Sequence, residues 1–127
     1  MSNFEDYATK FSSVRMRRED GILEMTFHTD GGSLRWGKKA HEDLEGAFLE
    51  VGRDRGNEVV ILTGTGDEYA GPAVQPSGEG GHHNPRQPVT AQEWDQLWYW
   101  EGKHLLMNLL NIEVPVIAAI NGPAVRH

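Results

Sequence analysis

Two spacings of apolar residues alternate along the first half of the chain. A short helix is predicted at the N-terminus, where four apolar residues recur at helical spacing: Phe4, Tyr7, Ala8 and Phe11. Residues 14–19 and 22–29 predict two strands, the second by strict alternation, and residues 20–21, Asp-Gly, are a signal for a two-residue hairpin turn. A helix is predicted over residues 38–54, where five apolar residues share one face: Ala40, Leu44, Ala47, Phe48 and Val51.

The second half combines two apolar runs with one long helix. The unbroken apolar run at residues 59–62 predicts a strand buried on both faces, and its place after a strand and a helix predicts a parallel crossover. Thr90 and Glu93 have the spacing of a capping box, so a long helix is predicted to begin there. After His104 this helix is apolar almost all round, which predicts that its end is buried. Residues 116–120 predict a second strand buried on both faces.

Two stretches do not fit a complete small domain. Residues 64–88 lack any period and are rich in Gly, Pro and His, a composition typical of a functional or disordered loop. The predicted strand at residues 116–120 needs cover on both faces, yet nothing follows to cover it, and the sheet edge stays open to other chains. The pattern therefore predicts an α/β fold of which residues 1–127 form only part.

Composition narrows the class of protein. The 127 residues suit one domain, and 12 Lys and Arg against 19 Asp and Glu give a formal net charge of −7. Such an acidic chain is a poor nucleic-acid binder, because phosphate binding requires a basic surface. No apolar run reaches the ~20 residues of a membrane span. The absence of Cys excludes disulfides and thiolate metal sites, and the acidic N-terminus differs from a secretion signal. A cytoplasmic protein is expected.

Three motifs together resemble the crotonase (enoyl-CoA hydratase/isomerase) superfamily. They are VVILTGTG at residues 59–66, YAG at residues 69–71 and EVPVIAAINGPA at residues 113–124. The resemblance extends from about Val14 to the C-terminus and implies the ββα spiral fold of the ClpP/crotonase type. Family members continue for about as long again. The resemblance therefore identifies residues 1–127 as the N-terminal part of a single crotonase-like domain.

Within the superfamily, four stretches are most similar to β-diketone hydrolases of the 6-oxocamphor hydrolase type. They are residues 28–29 with 33–36, residues 40–44, residues 94–95 with 101–102 and 105–106, and residues 121–127. Those enzymes cleave a carbon–carbon bond between two carbonyls of a cyclic diketone by a retro-Claisen reaction and use no coenzyme A. The resemblance implies the same activity here, a small-molecule diketone as substrate, no cofactor, and a homo-oligomer, since crotonases form trimers or hexamers.

The oxyanion hole departs from the common crotonase pattern. Typical members hold a thioester enolate with two backbone N–H groups, one from the residue after Ala-Gly and one from a Gly run after the NGxAx motif. Here Pro72, which has no N–H, stands at the first position, and Arg126-His127 stand at the second. The hydrolase resemblance implies that the His127 side chain replaces the amides. One such donor contributes roughly 3–4 kcal/mol in the transition state.

Four further residues are candidates for substrate contact. The Trp36 indole is a hydrogen-bond donor only, and the resemblance implies that it orients a substrate carbonyl, although a hydrophobic plug is the alternative. His41 matches the hydrolase motif but also fits a boundary position of the helix. Trp98 and Trp100 are expected either in the core or on the wall of an apolar substrate pocket.

Two kinds of catalytic group are not expected among these residues. His82, His83 and His104 lack metal-ligand spacing, because adjacent histidines do not share a face of regular structure, so no metal site is predicted. The His–Asp pair that activates water in the resembled hydrolases has no match within residues 1–127. Two alternatives stay open: a CoA-dependent hydratase or isomerase, and a catalytically silent module that associates through its sheet edge and helix.

Overall fold

The fold is a four-stranded mixed sheet with helices on one side. The computed structural model describes residues 1–71 and 90–124, apart from the side chains of residues 97, 98 and 101. The strands are β1 (Val14–Glu19), β2 (Ile22–Phe27), β3 (Val59–Thr63) and β4 (Val116–Ala119), and the sheet order is β1-β2-β3-β4. The helices are α1 (Phe4–Tyr7), α2 (Lys38–Arg53), α3 (Ala91–Trp94), a π-helical segment (Asp95–Lys103) and α4 (His104–Leu110).

The hairpin between β1 and β2 forms where the sequence predicts it. Asp20 and Gly21 adopt φ angles of 49° and 77°, the left-handed pair that a two-residue turn between twisted strands requires. The turn sets the antiparallel register, in which Glu19 lies opposite Ile22. β2, β3 and β4 then run parallel, so the predicted crossover through α2 is confirmed.

The core lies between α2 and one face of the sheet. The apolar face of α2 supplies Ala40, Leu44, Ala47, Phe48 and Val51, all buried as predicted. The facing side chains are those of alternate strand residues: Leu23, Met25, Phe27, Val60 and Leu62. Because one layer of helix covers one face, the sheet has a single buried side.

The prediction that two strands are buried on both faces is wrong for these residues. β3 alternates: Val60 and Leu62 are buried, whereas Val59, Ile61 and Thr63 are partly exposed. In β4 the Ile117 side chain is half exposed, and Ile120, just beyond the strand, is 66% exposed. For β3 the cause is that α2 covers only the face of the sheet toward which Val60 points. β4 is exposed on both faces, since Ala118, which lies beside the buried Leu62, is exposed as well.

The long helix begins where the sequence predicts, but its end is not buried. The Thr90 hydroxyl accepts a hydrogen bond from the Glu93 amide, and the Glu93 carboxylate accepts one from the Thr90 amide at 2.7 Å, completing the capping box. α4 packs on α2 through Leu105 and Asn108, whose Nδ2 donates to the Glu45 carbonyl at 3.0 Å. Its opposite face is exposed, and Leu110 reaches 75%. α4 therefore carries one packed face and one open apolar face.

Asp43 anchors the N-terminal segment to α2. Its side chain is buried and accepts hydrogen bonds from the Ser12 hydroxyl (2.9 Å), from the Ser13 amide (2.9 Å) and hydroxyl (2.8 Å), and from Lys39 Nζ (2.8 Å). Burial by itself would raise the pKa of Asp43, but the donors from Lys39, Ser13 and Ser12 outweigh it and lower the pKa below the ordinary value. The folded state therefore favours the charged carboxylate.

Replacing Asp43 by asparagine is expected to lower the free energy of unfolding by about 1–3 kcal/mol at neutral pH. Because the folded-state pKa is the lower one, this stabilisation is complete above the unfolded value of about 4 and disappears as the pH falls through the folded value. Urea unfolding at several pH values should show wild type and variant converging in acid. Glu42→Gln is the control, since Glu42 makes an exposed pair with Lys38 at 3.7 Å and should change stability by less than about 0.5 kcal/mol.

Candidate functional site

Three loops meet at one edge of the sheet. They are residues 28–37 after β2, residues 64–71 after β3 and residues 120–124 after β4. Because β2, β3 and β4 are parallel, their carboxyl ends lie along the same edge. Ligand sites of open α/β sheets form at this edge. The loops carry Trp36, the Ala70-Gly71 motif and the Asn121-Gly122-Pro123 turn, so the edge is the candidate site.

Asn121 joins two of these loops. Its Oδ1 accepts from the Gly64 amide at 3.0 Å, and its Nδ2 donates to the carbonyls of Gly66 at 2.8 Å and Glu68 at 3.2 Å. All these partners are main-chain groups of the loop after β3. The side chain therefore substitutes for strand pairing beyond the point where β3 and β4 end.

The backbone packs so closely at this edge that glycine is required at two positions, one between two loops and one within the loop after β3. A Cβ on Gly122 would overlap the Asp67 carbonyl oxygen and lie 2.7 Å from its carbon. A Cβ on Gly64 would overlap the Glu68 carbonyl oxygen and lie 2.5 Å from Tyr69 Cα. Since these neighbours are backbone atoms, they cannot move aside as a flexible side chain would.

The backbone N–H groups of residues 69–71, which precede Pro72, all donate hydrogen bonds to main-chain carbonyls. The Tyr69 and Ala70 amides both point at the Pro123 carbonyl, at 3.0 and 3.3 Å, and the Gly71 amide donates to the Leu34 carbonyl at 2.9 Å. Ala70 also forms a parallel bridge with Ala124. These three N–H groups thus hold the loops together and do not converge on a common anion.

Trp36 and His41 lie together at the start of α2. The centres of their rings are 5.2 Å apart, and Trp36 packs partly buried against the core. His41 Nδ1 lies 2.8 Å from the Gly37 carbonyl in the first turn of the helix, which fixes the imidazole on the Trp36 side. The resemblance made both residues candidates for substrate contact, and the structure brings their rings together.

Trp100 lies in an aromatic cluster on the π-helical segment. Its ring centre is 4.8 Å from that of His104 and 5.3 Å from that of Tyr99, and the side chain is half exposed. The expectation of Trp100 as a core residue is therefore wrong. The main chain of Trp98 belongs to the same segment, but its side chain falls outside the part of the molecule that the structure describes. The His104 amide donates to the Tyr99 carbonyl, five residues earlier, as in a π-helix.

Several candidates lie outside the described residues: Pro72, His82, His83, Arg126 and His127. The structure does not test their predicted roles. Within residues 1–71 and 90–124, no group of three or more His, Asp or Glu side chains could hold a metal ion. Nor does any helix among those residues have the length and apolar character needed to cross a membrane.

Sequence reasoning missed an ion pair beside Trp36. Arg35 Nη1 lies 3.0 Å from Glu68 Oε2 and links the loop after β2 to the loop after β3. Charged residues at these two positions give no sign of pairing, because 33 residues separate them. Asn121 was also missed as a site residue, although an Asn that directly follows a predicted strand was the available signal.

Comparison with solved structures shows the crotonase fold. The chain is 45% identical, with a TM-score of 0.81 over 96% of its length, to a β-diketone hydrolase from the cyanobacterium Anabaena, whose structure holds (S)-3-oxocyclohexyl acetic acid. An enoyl-CoA hydratase/isomerase from Mycobacterium paratuberculosis is 17% identical with a TM-score of 0.66 over 89% of the chain. DspI from Pseudomonas aeruginosa is 17% identical with a TM-score of 0.65 over 88%.

The three structures differ in sequence identity to this chain, and therefore in how much each similarity shows about it. The two at 17% identity share the fold alone, and the chain covers 43% and 39% of their lengths. The chain covers 46% of the Anabaena hydrolase, so it spans less than half the length of each structure. No family model matches the chain, and no curated protein does. The mixed sheet and crossover predicted from the sequence agree with the crotonase fold.

Proposed function

We propose that this chain, which has the crotonase fold, is part of a crotonase-superfamily hydrolase that cleaves a carbon–carbon bond of a cyclic β-diketone without coenzyme A. The support is its 45% identity to a β-diketone hydrolase over 96% of its length. The proposed substrate is a ring that carries two carbonyls on either side of one carbon, as in the 6-oxocamphor type of reaction.

The proposed reaction is a retro-Claisen cleavage. Water adds to one carbonyl carbon, and the bond from that carbon to the central carbon breaks. The electron pair passes to the enolate of the second carbonyl, the central carbon takes up a proton, and the ring opens to a keto acid. Water thus supplies both the hydroxyl of the acid and the new hydrogen on carbon.

The proposal assigns the substrate oxygens to two hydrogen-bond donors, His127 and Trp36. His127 donates an N–H to the enolate oxygen as negative charge develops there, and the neighbouring Arg126 favours the neutral imidazole, because a nearby cation disfavours a second positive charge. The Trp36 indole N–H orients a substrate carbonyl from the start of α2, with His41 packed against the ring. Trp98 and Trp100 are proposed to line the apolar part of the substrate site.

Pro72 is the observation that carries the assignment against a CoA-dependent hydratase or isomerase, because it stands where those enzymes have a donating amide. The amides of Tyr69, Ala70 and Gly71 are bonded to Pro123 and Leu34 carbonyls, and position 72 is a proline without an N–H. A thioester enolate would find no donor from the main chain of residues 69–72. A side-chain donor such as His127 is consistent with this arrangement.

The experiment that tests the proposal is turnover of a cyclic 1,3-diketone by the protein expressed from its complete natural gene. Loss of the enol absorbance should accompany formation of the keto acid, and in ¹⁸O-labelled water one label should enter the carboxylate. The control is an enoyl-CoA thioester, which should neither turn over nor retain the protein on a CoA affinity matrix. Retention on that matrix without diketone cleavage would instead favour the hydratase or isomerase.

The exposed apolar surface favours a second candidate, an interaction module. Leu106, Leu110, Ile117 and Ile120 are all more than half exposed on α4 and at β4, which is unusual for a monomer. Homo-oligomers as in other crotonases would also cover part of such a surface. An elution volume that depends on concentration, with neither diketone cleavage nor CoA binding, would support the module over the enzyme.

A further inference from the structure

We propose that the Arg35–Glu68 ion pair is a positioning clamp that fixes the Trp36 indole, a role that rests on the function proposed above for Trp36. The clamp consists of these two side chains and the main-chain bond between Leu34 and Gly71. Arg35 directly precedes Trp36, so any shift of Arg35 moves the residue that carries the indole.

The Arg35 side chain is held by the loop after β3. Its Nη1 lies 3.0 Å from Glu68 Oε2, and the pair is partly buried, with side chains 41% and 29% exposed. The guanidinium also fills the space beside Gly71, since a Cβ there would overlap Arg35 Nη1 and lie 2.7 Å from Glu68 Oε2. Glycine at position 71 thus makes room for the ion pair.

The main chain of the same segment is fixed on both sides. The Gly71 amide donates to the Leu34 carbonyl at 2.9 Å, and the Arg35 amide donates to Thr29 Oγ1 at 2.8 Å. The first bond ties the segment to the loop after β3, and the second ties it to the end of β2. Trp36 therefore extends from a short piece of chain that is held at residues 34 and 35.

Catalysis depends on such positioning more strongly than binding does. A donor displaced by about 1 Å from a substrate oxygen can cost up to about 100-fold in rate, because the geometry of the transition state is more demanding than that of the bound substrate. Loss of the clamp should therefore reduce kcat more than it raises KM. Simple loss of packing would lower the melting temperature instead.

The test combines kinetics with a direct signal from the indole. Arg35→Gln and Glu68→Gln should each lower kcat about tenfold, with KM changed less than about twofold. Both should shift the indole N–H resonance of Trp36, which is assigned by its disappearance in Trp36→Phe. Arg35→Lys, which keeps the charge, should recover part of kcat. The matched control is Arg55→Gln, which removes another Arg–Glu pair of 3.0 Å, with Glu113, and should change neither signal.

A double-mutant cycle separates positioning from a general structural role. In a Trp36→Phe background, Arg35→Gln should have little further effect on kcat, because the residue through which the clamp acts is already absent. An unchanged Trp36 resonance in Arg35→Gln, or an equal loss of kcat in the Trp36→Phe background, would overturn the clamp. A shifted resonance in a protein that cleaves no diketone would leave the clamp supported and the proposed function refuted.

Discussion

Replacing His127 by alanine is expected to lower kcat for cleavage of a cyclic 1,3-diketone by about 100- to 1,000-fold, the usual effect of removing one oxyanion donor. The enolate charge develops only in the transition state, so KM should change little. The main chain of residues 69–72 cannot compensate, because the amides of residues 69–71 are bonded to protein carbonyls and Pro72 has no N–H. Steady-state kinetics on the protein from its complete natural gene measures both constants.

His127→Gln serves as the matched variant, because its side-chain amide keeps an N–H donor of similar reach. It should lose less activity than His127→Ala, and both variants should unfold at the temperature of the wild type. Equal losses for Gln and Ala would indicate that the imidazole does more than donate a hydrogen bond. A kcat for His127→Ala equal to that of the wild type would refute the role proposed for this side chain.

Much of the fold follows from local sequence patterns. The β1–β2 hairpin is predictable because Asp20-Gly21 suits left-handed φ angles, and α2 is predictable because its apolar residues recur on one face. The parallel order of β2 and β3 follows from a helix placed between two strands. Each of these signals depends on neighbours within a few residues along the chain.

The burial of a side chain is predicted less well than its secondary structure, because burial depends on whether another element packs over that face of the strand or helix. The apolar run of β4 predicts cover on both faces, yet Ile117 is half exposed, since α2 packs over only one face of the sheet. The π-helical segment is missed for a different reason. Over nine residues, the spacing of side chains barely distinguishes a wider turn from an α-helical one, and only the bond from the His104 amide to the Tyr99 carbonyl reveals it.

In the candidate site, too, contacts between residues close in sequence are predictable, whereas contacts between distant residues are not. Trp36 and His41 are five residues apart, and a helix start brings such residues together, so their ring contact is accessible to sequence reasoning. Arg35 and Glu68 meet only because β2 and β3 are parallel and end at one edge. Asn121 forms its three bonds for the same reason, across more than 50 residues of chain. Long-range polar contacts of this kind need the sheet order before they can be inferred.

Gly122→Ala is expected to lower the free energy of unfolding by about 2–4 kcal/mol and to reduce diketone cleavage. The added Cβ would overlap the Asp67 carbonyl oxygen. A shift of the Asp67 backbone away from position 122 would weaken two hydrogen bonds, because Asn121 Nδ2 donates to the carbonyls of the flanking residues, Gly66 at 2.8 Å and Glu68 at 3.2 Å.

Relief of that overlap must separate the loop after β3 from the loop after β4, and the second loop leads directly to His127. The bonds from the Tyr69 and Ala70 amides to the Pro123 carbonyl would then lengthen, so the loop that leads to His127 would no longer be held against Ala70-Gly71. Gly32→Ala is the control, since its Cβ would meet only the Thr29 carbonyl oxygen at 3.6 Å, an ordinary contact at the same edge of the sheet. Urea unfolding should place Gly32→Ala within about 1 kcal/mol of the wild type. Equal stability of the two alanine variants would show that the loops can separate at Gly122 without loss, and that their close approach does not position the site.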